Sequence, residues 1–266
     1  KILGFRLASK FGSKIFGLFG PFFRSKKITV SNIKNSFPTI STEQIEIIIK
    51  TMWENYGRIL SEYIFIKDFR NSKYKKYLLV EGQEILENIK ELNEPVVFIS
   101  GHFNNFELMA MQIEKSGIKL ASIYRPLNNI FLNKVMEKIR KKYICKKQIK
   151  KGRSGTRELL RLFKKNYSIA LMIDQRVSEG IESNFFGKKA LTTTIPAQLV
   201  KKFNCKIVPI YIERNKDIYF KLTVKNPISY NKNYTIKEIT QDLNGRLEKL
   251  VMKNPNQWIW SHNRWK

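Results

Sequence analysis

Short apolar runs alternate with amphipathic stretches from residue 95 onward, and this alternation limits the possible fold more than any other feature. The apolar runs predict strands at 96–100, 119–124, 168–173, 206–212 and 218–224, and the remaining stretches predict helices at 106–116, 129–143, 155–165, 195–203 and 235–253. Such alternation is typical of βαβ units, in which helices cover both faces of parallel strands. A polar break at 214–217 makes the last two strands a predicted hairpin. We therefore predict a single α/β domain over residues 31–266, with a mostly parallel central sheet flanked by helices.

A histidine and a glutamate lie where the first of these strands is followed by a helix. His102 follows the strand in the run Gly101-His102-Phe103-Asn104-Asn105-Phe106-Glu107, and Glu107 falls in the first turn of the next helix. The His-x4-Glu spacing can set a carboxylate against one imidazole nitrogen and leave the other free to accept a proton, as a general base requires. The alternative is a strand-end histidine that only caps the helix. The chain has only 2 histidines, so few other bases compete with His102.

Two further predicted strands also end in polar residues. Arg125 follows the strand at 119–124, and Asp174 and Gln175 follow the strand at 168–173. Ligands of open α/β sheets bind outside the carboxyl ends of the strands. Structural capping explains any one of these residues, but three successive strand ends with polar groups predict a site at this edge.

The charge of the chain predicts an anionic partner. Its 50 lysines and arginines face 22 acidic residues, a formal net charge of +28. Nucleic acid, an anionic membrane, a phosphorylated substrate or an acidic protein would each fit such a surface. Residues 138–165 hold thirteen basic residues and one acidic residue. Most of them are explained as a solvated face, but Arg153 and Arg157 belong to a glycine-bearing turn that opens a helix, and this arrangement favours a phosphate.

The first thirty residues have the composition of a helix that lies in a membrane interface. Arg6, Lys10 and Lys14 recur every fourth position, and phenylalanine, leucine and isoleucine fill much of the remaining surface between residues 2 and 23. The alternative is an amphipathic helix that packs on its own domain. No stretch is long and apolar enough to span a bilayer. The sequence begins with Lys1, so we expect residues upstream of it, which could include such a span. After this segment, Thr42 to Phe65 predict a long helix with Ser41 as its N-cap.

Six motifs, taken together and in this order, resemble those of the lipid A biosynthesis acyltransferases, the late acyltransferases of lipopolysaccharide assembly. They are Gly101 to Glu107, Tyr124-Arg125-Pro126-Leu127-Asn128-Asn129, Gly152-Arg153 with Arg157, Asp174-Gln175, Phe185-Phe186-Gly187 and the segment from Gln257 to Trp265. Asn32 to Pro38 and Glu62 match the N-terminal part of the family, so the resemblance covers nearly the whole chain. One departure is Asn263, where members commonly carry a basic residue.

This resemblance implies an enzyme at the cytoplasmic face of the bacterial inner membrane. It would move a fatty acyl group from acyl carrier protein to a hydroxyl of a Kdo-bearing lipid A precursor, and it would need no cofactor and no metal. His102 would be the general base and Glu107 its partner. The residues expected to bind substrate are Asn104, Asn105, Arg125, Arg153, Arg157, Asp174 and Gln175.

Three other functions remain to be weighed. An acyltransferase that acts on a lysophospholipid or a glycolipid would share the histidine motif, usually with aspartate, but would not be expected to show the Asp-Gln and Phe-Phe-Gly blocks. A nucleic-acid-binding protein would explain the charge, but the sequence has no recognisable module for it. A member that serves only as a membrane scaffold would not need both His102 and Glu107. Cys145 and Cys205 lie far apart, lack metal-ligand spacing and do not indicate a disulfide framework.

Overall fold

A seven-stranded sheet forms the centre of the molecule. The structure, a computed structural model, describes residues 2–127 and 129–265, and of Arg153 it describes the backbone only. The strands are β1 (Leu78–Glu81), β2 (Val97–Ser100), β3 (Leu120–Tyr124), β4 (Lys147–Lys150), β5 (Ser168–Met172), β6 (Ile181–Phe185), β7 (Lys188–Thr192), β8 (Ile207–Lys216) and β9 (Tyr219–Val224). The order in the large sheet is β1-β9-β8-β2-β5-β3-β4, and β6 and β7 form a separate antiparallel pair. All neighbours in the large sheet are parallel except β8 and β9, which form the predicted hairpin.

Helices cover both faces of this sheet. They are α1 (Gly4–Phe19), α2 (Lys26–Ser36), α3 (Thr42–Glu62), α4 (Ile66–Arg70), α5 (Gln83–Leu92), α6 (Glu107–Lys115), α7 (Ile130–Ile139), α8 (Arg153–Phe163), α9 (Ile195–Phe203) and α10 (Ile236–Lys253). A π-helical turn, Arg140–Ile144, continues α7, and short 3₁₀ turns follow α1 and α3. Ser41 caps α3 through a reciprocal capping box with Gln44, as the sequence predicts. The predicted class, a single α/β domain with a mostly parallel sheet between helices, is confirmed.

The side chains of β2 alternate between two apolar clusters, one on each face of the sheet. Val97 and Ile99 pack with residues of α3, α8, α9 and α10, whereas Phe98 packs with residues of α4, α5 and α6. All three side chains are at most 4% exposed. A strand buried on both faces reads as a continuous apolar run, which is why the central strands were predictable.

Four strands are missing from the prediction. The edge strands β1 and β4 are short, and β4 has the sequence Lys147-Gln148-Ile149-Lys150, in which a single side chain is fully buried. The β6–β7 pair is largely polar and lies apart from the main sheet. Such strands take their structure from their neighbours rather than from a hydrophobic pattern, so the pattern alone did not indicate them.

The N-terminal helix α1 packs one side on α3 and leaves the other side in solvent. A Cβ atom on Gly12 would lie 1.9 Å from Ser61 Oγ and 2.3 Å from the carbonyl oxygen of Gly57, so the two helices approach as closely as glycine allows. The opposite surface exposes large apolar side chains, namely Leu7, Phe11, Ile15, Leu18 and Phe19. One face of α1 therefore packs on its own domain, as the alternative interpretation expects. The described residues leave its apolar outer face uncovered. Within residues 2–127 and 129–265, no helix combines the length and the apolar character that crossing a bilayer requires.

Candidate active site

His102 and Asp174 meet at the carboxyl edge of the sheet because their strands are neighbours. His102 lies just after β2, Asp174 lies just after β5, and these two parallel strands pair from Val97 to Ser100. The Nδ1 atom of His102 is 2.7 Å from Oδ1 of Asp174. The His102 side chain is 19% exposed, and its Nε2 atom has no hydrogen-bond partner among the described residues. The imidazole is therefore held on one side and open to a ligand on the other.

The carboxylate of Asp174 is fixed by three donors. Besides the His102 ring, the backbone N–H of His102 donates to Oδ2 at 2.6 Å, and the indole N–H of Trp258 donates to the same oxygen at 2.8 Å. Burial would raise the pKa of Asp174, but His102 and these N–H donors hold it below its usual value. An ionised Asp174 places the imidazole proton on Nδ1 and leaves the Nε2 lone pair to accept another.

Glu107, the predicted partner of His102, bonds to a different residue. Its Oε1 atom accepts hydrogen bonds from Nε and Nη2 of Arg140, at 2.8 and 2.5 Å. Burial would lower the pKa of Arg140, but the carboxylate of Glu107 raises it above its usual value, so the guanidinium stays charged. The prediction that Glu107 lies against the imidazole is thus wrong. Glu107 starts α6 on the side that faces the π-helical turn, whereas the ring of His102 faces β5.

The two asparagines of the motif bond to residues from distant parts of the chain. Asn104, which has a positive φ of 44°, accepts from Nε of Arg214 and donates to Oε1 of Gln257. Asn105 donates to Oε2 of Glu62 at 3.0 Å. Both amides are almost fully buried, at 1% and 0% exposure. Asn104, Asn105 and the equally buried Asp174 thus bond to other groups of the protein, and their contact with a substrate stays a prediction.

A buried ion pair between Arg214 and Glu62 supports the loop that carries His102. Arg214, near the end of β8, donates to both carboxylate oxygens of Glu62, at 2.8 and 3.0 Å. The Ser9 hydroxyl donates to the same carboxylate at 2.7 Å. Because Arg214 also bonds to Asn104, a continuous polar network joins α1, α3 and β8 to the His102 loop. Removing one partner of such a pair lowers the free energy of unfolding by several kcal/mol, because it leaves a buried charge uncompensated.

The remaining predicted residues lie along the same edge but farther from His102. Arg125, after β3, is exposed, and Gln175, next to Asp174, is half-buried. Arg157 is exposed on α8, which follows the edge strand β4, and the side chain of Arg153 lies outside the described part of the structure. Strand β4 is three positions from β2 in the sheet, so the start of α8 is about 14 Å from the end of β2 at the usual strand spacing of about 4.8 Å. The structure brings His102 and Asp174 into contact and leaves Arg125 and Arg157 exposed at the rim.

The second histidine and the two cysteines are poor candidates for chemistry. His262 already accepts a hydrogen bond at Nε2 from the backbone N–H of Arg176, and burial lowers its pKa to about 4. Burial raises the pKa of Cys145 to about 11 and that of Cys205 to about 12, so both thiols stay protonated near neutral pH. Among the described residues, His102 is thus the base best placed to accept a proton from a ligand.

The sequence did not indicate several residues that organise the site. Arg140 belongs to the basic run 138–165, where nothing in the spacing separates it from solvated lysines. Arg214 lies in the predicted polar break, and the structure instead includes it in β8. Trp258 forms an isolated antiparallel bridge with Phe103, which brings its indole to Asp174. These partners come from distant parts of the chain, so only the sheet order reveals them.

A family profile and several curated relatives agree with the resemblance of the motifs. The sequence profile of the family described as "Bacterial lipid A biosynthesis acyltransferase" matches residues 1–266. "Lipid A biosynthesis acyltransferase 2" of Shigella flexneri is 23% identical over 89% of this chain and 76% of its own length. "Lipid A biosynthesis palmitoleoyltransferase" of Escherichia coli K12 is 24% identical over 96% and 83%. The crystal structure of a 1-acyl-sn-glycerophosphate acyltransferase from Thermotoga maritima covers 96% of both chains, with a TM-score of 0.44 and 14% identity.

Proposed function

Because the chain belongs to the bacterial lipid A biosynthesis acyltransferase family, we propose that it transfers a fatty acyl group from acyl carrier protein to a hydroxyl of a Kdo-bearing lipid A precursor. The observation that carries this proposal is the contact between His102 and Asp174, which leaves Nε2 of the imidazole open at the carboxyl edge of the sheet. A lipid hydroxyl is a weak nucleophile at neutral pH and needs such a base, whereas a thioester is already activated.

The proposed reaction needs one base and no covalent enzyme intermediate. Nε2 of His102 accepts the proton of the acceptor hydroxyl as its oxygen bonds to the thioester carbonyl carbon. Asp174 stabilises the imidazolium that forms. The tetrahedral intermediate then collapses, the carbon–sulfur bond breaks, and the departing thiolate takes the proton from Nε2. Arg125 and backbone N–H groups of the same edge are the candidate donors to the oxyanion.

We propose two tasks for the basic surface. Arg153 and Arg157, at the start of α8, bind a phosphate of the lipid acceptor or of the carrier's phosphopantetheine. Lysines between Lys138 and Lys151 attract the acidic carrier protein, and Lys146, Lys147, Lys150 and Lys151 are all exposed. The chemistry of the two side chains supports this division, because exposed lysine charges act over distance while planar guanidinium groups bind phosphate closely.

We further propose that α1 rests in the cytoplasmic face of the bacterial inner membrane. Its exposed face offers Phe11, Ile15 and Phe19, and Lys10 and Lys14 are exposed beside them. A helix with an apolar face and flanking cations has the character of an interfacial helix. This position would bring an acceptor that resides in the membrane to the enzyme.

The test is an acyl-transfer assay with the purified protein, an acyl carrier protein thioester and a panel of acceptors. We expect transfer to a Kdo-bearing lipid A precursor, and a loss of about two to four orders of magnitude in kcat for His102→Ala with no change in folding. A strain that lacks the gene should lose one acyl unit from its lipid A, as seen by mass spectrometry. Preferred transfer to a lysophospholipid or glycolipid, or a His102→Ala variant within about tenfold of the wild type, would contradict the proposal.

A further inference from the structure

Helix α7 exposes an apolar face that no described residue covers. Ile130, Phe131, Leu132 and Val135 are 67%, 83%, 46% and 56% exposed, and we refer to these four side chains as the α7 apolar face. Met136 and Ile139, one turn beyond Leu132 and Val135 on the same stripe of the helix, are partly buried and pack against the apolar cluster around α6. Contiguous exposed apolar side chains with a polar rim mark a contact with a partner or a membrane.

The position of α7 is fixed relative to the catalytic edge. In its last turn, Oε1 of Glu137 accepts from the Tyr124 hydroxyl at 2.7 Å, which holds the helix to the end of β3. Just beyond its last residue, Arg140 bonds to Glu107, which starts the helix that follows the His102 loop. Whatever contacts the α7 apolar face is therefore held close to the open side of the sheet edge.

The charges around this face indicate what contacts it. Lys134 and Lys138 are exposed on α7 itself, and Lys141 and Lys142 are exposed on the turn that follows. A second copy of the chain would bring the same lysines and a net charge of +28 against them, which opposes self-association. An acidic protein would satisfy the lysines but would not need a phenylalanine that is 83% exposed. An anionic bilayer satisfies both features, since it offers headgroups to the lysines and acyl chains to the apolar face.

We propose that the α7 apolar face inserts into an anionic lipid surface while Lys134, Lys138, Lys141 and Lys142 bind its headgroups, which leaves Lys146, Lys147, Lys150 and Lys151 of the basic run for the carrier protein. This inference rests on the proposed function, in which the acceptor is a membrane lipid, and it adds a contact beside the catalytic edge to the one proposed for α1. Two separated contacts would fix the orientation of the enzyme on the membrane, so that the open side of His102 faces the lipid from which the hydroxyl comes.

The test measures binding to phosphatidylcholine vesicles with and without phosphatidylglycerol, in the absence of substrate. The triple variant Ile130→Ser, Phe131→Ser, Val135→Ser should bind anionic vesicles at least about tenfold more weakly than the wild type, because three apolar side chains no longer enter the bilayer. The matched control is Leu79→Ser, Leu92→Ser, Met252→Ser, which removes three exposed apolar side chains elsewhere and should leave binding unchanged. Wild-type affinity in the α7 variant, or an equal loss in the control, would overturn the proposal.

A second measurement reports insertion directly and does not depend on the serine variants. Both natural cysteines are buried, so Phe131→Cys and the control Leu92→Cys can each be labelled with an environment-sensitive dye. Anionic vesicles should shift the emission of the dye at position 131 to the blue and leave that at position 92 unchanged. No shift at position 131, or a shift that follows protein concentration without vesicles, would overturn membrane insertion, the latter in favour of self-association. Neither readout involves acyl transfer, so a failed function and a failed membrane contact are distinguishable.

Discussion

Asp174 and Glu107 are both buried carboxylates beside the His102 loop, and each has its own partner. Asp174 accepts hydrogen bonds from the ring and the backbone of His102, whereas Glu107 accepts two from Arg140. The sequence correctly predicts that His102 and Asp174 each follow a strand and that Glu107 starts a helix. It does not reveal that β5 lies next to β2, because β3 and β4 separate these two strands in the sequence, and the order of strands in a sheet need not follow the order in the chain.

The pairing of Glu107 with Arg140 predicts a structural cost for its removal. The side chains of this pair are 8% and 11% exposed, so Glu107→Ala leaves a nearly buried guanidinium without its partner. We expect the free energy of unfolding in urea to fall by about 3–5 kcal/mol. In the double variant Glu107→Ala, Arg140→Met, the buried charge is gone as well, and part of that loss should be recovered. The loss of unfolding free energy in the double variant is compared with the sum of the losses in Glu107→Ala and Arg140→Met. A loss equal to that sum or larger would show that the pair does not stabilise this region.

At the scale of elements, predicted and observed structure agree where an element buries its own apolar pattern. Helix α9 begins and ends at the predicted residues, 195 and 203, and α3 begins at the predicted Thr42. The edge strands β1 and β4 were not predicted, because they bury few side chains of their own. The face that α1 uses was also left open by the sequence. Gly12 of α1 lies against Gly57 of α3, and this close approach determines which face of α1 is buried. Single glycines in a sequence do not indicate which helix they contact.

Two glycine-to-alanine substitutions in helices should change stability in opposite directions. At Gly12 of α1 the new methyl group would clash with backbone and side-chain atoms of α3 at about 2 Å, so Gly12→Ala should separate the helices and lower the melting temperature. At Gly245, within α10, nothing lies within 4 Å of the new atom, and alanine should stabilise the helix by about 0.5–1 kcal/mol. Calorimetry of both variants tests this expectation. Equal melting temperatures for Gly12→Ala and Gly245→Ala would show that α1 does not pack tightly on α3.

For the whole molecule, a stable α/β frame supports functional surfaces of different kinds. The His102–Asp174 contact lies at the carboxyl edge of the sheet, apolar side chains are exposed on α1 and α7, and exposed lysines and arginines flank the start of α8. Composition predicted the charge and the N-terminal apolar surface. It did not single out α7, because an amphipathic helix in an α/β domain is normally covered, and only the packed structure shows that this one is not.

The stability of the whole molecule should depend on pH through His262. Burial lowers its pKa from 6.5 to about 4, so the unfolded chain binds a proton in this range before the folded protein does. The stabilisation is complete above pH 6.5 and is lost as the pH falls through about 4, a change of roughly 3 kcal/mol. Urea denaturation at a series of pH values should show this slope. The free energy of unfolding should change less with pH in His262→Gln, whose amide oxygen can still accept the backbone N–H of Arg176. The same pH dependence in this variant would show that His262 is not its cause.

The most direct test of the central claim, that Asp174 orients His102 as a base, is nitrogen NMR of protein labelled in its histidine rings. The chain has 2 histidines, so His262→Gln assigns the signals. We predict that the neutral His102 ring carries its proton on Nδ1, in a strong hydrogen bond to Asp174 that shifts this proton downfield. The signal should persist in Glu107→Gln and be lost in Asp174→Asn. Its loss in Glu107→Gln and survival in Asp174→Asn would show that Glu107 is the partner after all.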